Sequence, residues 1–154
     1  MRKQVLSLAV AVLALLLTTN LNAQIQTPAA SPKAKTETTI GLTEVHVEYS
    51  RPGVKGRTIF ADNGLVPYGK IWRTGANQAT KVTFGGDAMV GGEKVAAGSY
   101  AVLTKPMADQ WEVMFFAYEG GNWGMYRDKS PAVTLTAKSK KVPGKVENYT
   151  IVFD

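Results

Sequence analysis

Cysteine is absent from this 154-residue chain, and histidine occurs once, as His46. Without cysteine, no disulfide can staple the fold and no thiolate can serve as a nucleophile or soft metal ligand. The fold must be held by its own apolar core. One histidine and no cysteine fall short of the three protein ligands that a catalytic zinc site takes. A sustained 3.6-residue apolar period is also missing outside the N-terminal segment, so helices are not the building units. Charge of one sign is scarce too. Eighteen Lys and Arg stand against twelve Asp and Glu, a formal +6, and the excess is local. A nucleic-acid binder is more cationic and presents a longer basic face. No nucleic acid, cofactor or metal is therefore expected.

The N-terminus carries the pattern of an export signal. Arg2 and Lys3 precede Val5–Leu17, a run that is apolar apart from Ser7, and Leu21-Asn22-Ala23 offers a small residue for cleavage. The run matches the apolar core of a signal peptide and is shorter than the roughly 20 residues that span a bilayer. Cleavage after Ala23 would leave Gln24 first, with no transmembrane segment. It would also remove two cations and no acid, leaving sixteen against twelve, net +4. The expected location is the periplasm of a bacterium or its exterior. Residues 24–39, QIQTPAASPKAKTETT, are rich in Pro, Ala, Ser, Thr and Lys and read as a flexible linker. Residues 40–154, about 115 in all, suffice for one domain with a moderate core.

Within that domain the periodicity is that of strands. Val45, Val47 and Tyr49 alternate with Glu44, His46 and Glu48, and Thr80, Val82 and Phe84 alternate with Lys81 and Thr83. Ser99–Thr104 is β-branched and aromatic. Trp111–Tyr118 is apolar on both faces, as in a strand covered on both sides. Val133–Lys138 alternates, and so do Tyr149, Ile151 and Phe153. Gly91-Gly92 and the segment around Asp109 mark tight hairpins, and further turn signals recur at the spacing of an all-β domain. The expected fold is an antiparallel β-sandwich with jelly-roll-like connections, with a short helical turn near Ile59–Asp62 or Tyr68–Ile71.

The stretch Arg51–Thr80 stands apart. Arg51, Lys55, Arg57, Lys70 and Arg73 share it with one acid, Asp62, and with interleaved Gly, Pro and aromatics. Tyr49-Ser50-Arg51-Pro52, Lys55-Gly56-Arg57, Pro67-Tyr68-Gly69 and Trp72-Arg73-Thr74-Gly75-Ala76-Asn77, followed by a Gly-Gly hairpin, AAGSYAVLTKP and QWEVMF, run in a fixed order. That order resembles the domain of unknown function 2911 family, exported bacterial proteins, over about Val45–Asp154. The resemblance implies export and family but no activity. The pattern departs at Gln78, where a glutamate is expected; a charged role at that position would be missing here.

Two readings of the stretch stand side by side. In the first, the planar guanidinium forks, glycine backbone and aromatic faces form a ligand site for an anionic or sugar-like molecule. The candidate residues are Arg51, Arg57, Tyr68, Trp72, Arg73, Thr74 and Asn77. In the second, Arg51 and Arg73 pair with Glu44, Glu48 or Asp62 to tie down a long loop, and Trp72 plugs one end of the sandwich. The glycine-rich Tyr118–Gly124 is either a plain hairpin or an aromatic wall beside the basic region. Catalysis has thinner material. There is no G-x-S-x-G, a triad would need His46 beside Ser50, Ser99, Ser130 or Ser139, and paired acids could come only from Glu44, Glu48, Asp62, Glu112 and Glu119. The leading expectation is a non-catalytic binding or envelope-associated module. The alternatives are a small envelope hydrolase using His46 or an acid on the same face, and a structural scaffold. Produced in a bacterial host with its N-terminus intact, the protein recovered from the envelope fraction should begin at Gln24; an intact mass that retains residues 1–23 would contradict the export reading.

Overall fold

The computed structural model describes residues 27–153. The signal segment and residues 24–26 of the linker lie outside them. Ten strands form: β1 (Lys33–Ile40), β2 (Thr43–Ser50), β3 (Phe60–Ala61), β4 (Val66–Pro67), β5 (Thr80–Phe84), β6 (Ala88–Val90), β7 (Glu93–Val95), β8 (Gly98–Pro106), β9 (Gln110–Ala117) and β10 (Val133–Lys138). Six of them make one antiparallel sheet in the order β1-β2-β5-β8-β9-β10. Neighbours in the sheet follow one another in the chain, apart from the small pairs β3-β4 and β6-β7, which are inserted between them. The connections are those of a meander, not a jelly roll. Antiparallel neighbours need only short turns, so long crossovers have no task here.

The sheet is covered on both faces, by hairpins and irregular segments instead of a second large sheet. Val47, Tyr49, Val82, Tyr100, Val102 and Phe115 lie on one face, under the β6-β7 hairpin (Ala88, Val90, Val95) and the C-terminal segment (Tyr149, Ile151). Ala101, Leu103, Met114 and Phe116 lie on the other face, under Tyr126, Trp123 and Ile71. This explains why β9 is apolar at successive positions: Phe115 serves one layer, and Met114 and Phe116 the other. The second face is covered only over β8 and β9. Over β1, β2 and β5 it stays polar, with Lys35, Glu37, His46, Glu48 and Lys81 joined in surface ion pairs.

Three expectations need correction. The segment read as a linker through Thr39 contains a strand: Lys33–Ile40 pairs with β2 along its whole length, Ala34 opposite Tyr49 and Thr38 opposite Val45. Its lysines and threonines suit an edge strand, which resists further pairing through charge, and such a composition looks solvated when read alone. The alternation at 149–153 is present without a strand. Asn148 makes a single bridge to Gly53, and beyond it Ile151 N–H donates to the Tyr49 hydroxyl, a side chain in place of a neighbouring strand. No helical turn forms at Ile59–Asp62 or Tyr68–Ile71, where β3 and a tight turn closed by Lys70 N–H to Pro67 C=O stand. A 3-10 turn forms instead at Trp123–Tyr126, with Asn122 capping the Gly124 amide.

Leu103 is fully buried between β9 and the 3-10 turn. Leu103→Ala should lower unfolding free energy by about 2–5 kcal/mol, read as a lower urea midpoint at unchanged slope.

Candidate functional site

The site is built at one end of the sheet, around Trp72. Its backbone pairs with Thr104 in both directions, N–H to C=O at 2.7 and 2.9 Å. Thr80 pairs with Val102 on that same side of β8. Trp72 therefore continues the line of β5, and residues 73–79 are looped out between the partners of Thr104 and Val102, two positions apart on β8. The Thr80 amide closes the stem on the Arg73 carbonyl at 3.3 Å. Such a loop demands unusual backbone, and Thr74 and Asn77 both sit at positive φ, 58° and 60°. Asn tolerates this conformation; for a β-branched Thr it costs on the order of 1–3 kcal/mol. Hydrogen bonds hold Thr74 there. Its hydroxyl meets Thr104 Oγ1 at 3.2 Å, and its carbonyl accepts from Thr80 Oγ1 at 2.7 Å.

Trp72 is nearly buried, and its ring nitrogen donates to the Gly75 carbonyl at 3.0 Å. Phe60, Trp111 and Tyr149 meet it edge-on, with centroids 5.3, 6.0 and 5.1 Å away. Beside this cluster opens a cleft of about 670 Å³. Arg57, Lys70 and Arg73 line it, and no acidic residue does. Arg73 extends toward Trp123, its guanidinium carbon 5.5 Å from the ring centroid, and Arg127 stacks on that ring at 4.1 Å. The Nε of Arg73 is shut off from solvent and has no hydrogen-bond partner.

The profile of a family described as protein of unknown function (DUF2911) matches residues 31–154. The chain belongs to the DUF2911 family. No curated protein and no solved structure matches it.

In this family member the seven candidate residues divide. Arg57, Trp72, Arg73 and Asn77 line the cleft; Arg51, Tyr68 and Thr74 do not. Arg51 clamps the C-terminal segment, donating from Nε to the Tyr149 carbonyl at 3.1 Å and from Nη2 to Thr150 Oγ1 at 2.8 Å. Arg57 folds back on its own loop, to the Gly53 and Val54 carbonyls at 2.6 and 3.0 Å. Asn77 donates to Ser31 O and Ser50 Oγ. The proposed pairing of Arg51 and Arg73 with Glu44, Glu48 or Asp62 does not occur. Every ion pair among the described residues takes its cation from lysine or His46, and none from arginine. Trp72 packs at the end of the sheet, and Trp123 lines the cleft. Its loop is latched by the buried Tyr126, whose hydroxyl accepts from the Glu119 and Gly120 amides and donates to the Gly120 carbonyl. A Cβ at Gly121 would lie 2.8 Å from the end of the Gln78 side chain, which would have to turn aside. Gln78 packs against this loop.

Tyr149, Lys70, Arg127 and Asn148 belong to the site region without having been singled out. Lys70 lay inside the basic stretch, and Arg127 followed a glycine-rich loop, so those two had a signal. Tyr149 had none, because its partners stand about a hundred positions earlier in the chain. Burial pushes its phenol well above the ordinary tyrosine range. Glu147, just outside the cleft, is held below the usual carboxylate range mainly by the Lys55 amide.

His46 lies on the exposed face of β2, between Glu37 at 3.2 Å and Glu44 at 3.6 Å. Four residues separate it from Ser50, about 13 Å along the strand. Among the described residues, no group of three or more His, Cys, Asp or Glu could hold a metal ion, and no helix is long and apolar enough to cross a membrane.

Arg51→Ala removes both charged hydrogen bonds to the C-terminal segment. Amide exchange at Tyr149 and Ile151 should accelerate by the equivalent of about 1.5–3 kcal/mol. Arg57→Ala, whose bonds stay within its own loop, should leave those amides unchanged.

Proposed function

We propose that this protein is an exported, non-catalytic binding module whose cleft takes an anionic or sugar-like ligand at Arg73. The observation that carries the reading is the state of Arg73 itself. It is a cation in an acid-free cleft, with a desolvated Nε that nothing in the protein satisfies. An unpaired buried donor costs about 1–3 kcal/mol, and folded chains rarely keep one without a use. A carboxylate, sulfate or phosphate that draws the half-buried guanidinium toward the cleft would neutralise it and uncover that nitrogen for a partner. Trp123, between Arg73 and Arg127, limits the freedom of the side chain, so less ordering is lost when a ligand arrives. Export is supported by Arg2, Lys3, the Val5–Leu17 run and Ala23, which suits a periplasmic or secreted protein.

The hydrolase reading lacks comparable support. His46 stands outside the cleft, and none of the candidate acids lines it. The scaffold reading accounts for Arg51, Arg57 and Thr74, whose polar groups are spent on the fold, but leaves Arg73 unexplained.

A panel of inorganic phosphate and sulfate, anionic glycans and simple carboxylates, screened by thermal unfolding, tests the proposal. A ligand at a hundred times its Kd adds about 2.7 kcal/mol of stability, a rise of several degrees for the wild type that Arg73→Ala should lose. A variant that responds to every anion as the wild type does would sink the binding reading.

A further inference from the structure

Resting on that reading of the cleft, we infer that its ligand is a single small amphiphile, an anionic head held at Arg73 and Lys70 with an apolar tail along the walls. The first reason is size. A cavity of about 670 Å³ is in the range that encloses a drug-sized molecule, and an inorganic anion would leave most of it unfilled. The second is the wall. Ile59, Phe60, Val66 and Ile71 line it together with Leu65 and Val146. Leu65 and Val146 are 60 % and 54 % exposed. Single exposed apolar residues are ordinary; two large ones bordering a cleft that is already apolar extend one continuous surface for a tail.

The third reason separates an amphiphile from a polar sugar. A sugar is recognised by many hydrogen bonds, and much of the polar lining here is already committed, leaving the Ser31, Asn148 and Tyr149 side chains besides the two cations. Asn77 donates to Ser31 and Ser50, Arg57 to its own loop, and Trp72 to Gly75. Thr150 accepts from Arg51 and donates to Asn148 O. Arg73 and Lys70 make no ion pair and no hydrogen bond from their side chains among the described residues, and both are cations. A ligand that needs two charged contacts, few further hydrogen bonds and otherwise apolar burial fits this inventory. The lack of any acid in the lining matches its charge.

The test is calorimetric titration of the protein with butyrate, octanoate and dodecanoate below their micelle concentrations, with glucuronate and a sulfated disaccharide as polar anions. Affinity should rise several-fold for every two added methylenes. Arg73→Ala should weaken dodecanoate binding about tenfold or more, and Leu65→Asp, at an exposed position where folding is not at stake, should do likewise. Lys81→Ala on the polar face should change nothing. If the polar anions bind in an Arg73-dependent way and chain length has no effect, the amphiphile inference falls and the anion site stands. If Arg73→Ala binds every compound as the wild type does, the anion site falls too. Binding to phosphatidylglycerol vesicles without binding to dispersed dodecanoate would overturn the single-ligand cleft in favour of a membrane surface.

Discussion

The paired hydrogen bonds between Trp72 and Thr104 are the constraint on which the cleft end of the molecule depends. They return the chain to the line of β5 and force residues 73–79 out of the sheet. The indole is then fixed among Phe60, Trp111 and Tyr149, which arrive from three distant parts of the chain. Edge-to-face aromatic contacts contribute about 0.5–1.5 kcal/mol each beyond their burial, and here they also join the β3-β4 insertion, the start of β9 and the C-terminal segment. Without disulfides, this cluster, the Arg51 and Tyr49 contacts and the hydrogen bonds of Glu147 and Tyr149 to residues 52–55 hold the C-terminal segment in place.

The basic stretch carries two kinds of arginine. Arg51 and Arg57 have their guanidinium donors turned to backbone carbonyls, so their charge organises loops. Arg73 is presented by the strained turn at Thr74 and rests toward Trp123. Strain of this sort persists only where surrounding contacts over-determine it, and Thr80, Thr104 and Gly75 provide those contacts. The same local sequence thus builds the fold and displays the cation, which is why its fixed order of residues alone could not separate structure from binding.

Much of the sheet was legible because period-two alternation reports burial directly. The strands at Val45–Tyr49, Thr80–Phe84, Trp111–Tyr118 and Val133–Lys138 stand within a residue or two of where their patterns put them, and the Gly91-Gly92 and Asp109 hairpins form as their turn chemistry predicts. Lys33–Ile40 was illegible because an edge strand gains its order from its partner and its polar residues protect the edge. The tail at Tyr149–Phe153 shows the opposite error: Tyr149 and Ile151 do face the core, but their backbone bonds to a loop and a tyrosine hydroxyl. In the site, Trp72, Arg73, Arg57 and Asn77 were legible as a group of unusual residues. Their division into spent and unspent side chains was not.

By itself the sequence determined an all-β antiparallel domain, its family, and the segment that supplies the basic residues of the cleft, since alternation, turn residues and a fixed motif order are local properties. The tertiary structure decided which arginine is unsatisfied, that no acid lies beside it, and that the cleft wall is apolar. Those depend on partners such as Trp123 and Tyr149, brought to Trp72 from far along the chain. Whether a donor has a partner is a property of three-dimensional neighbours, and residue order carries no record of it.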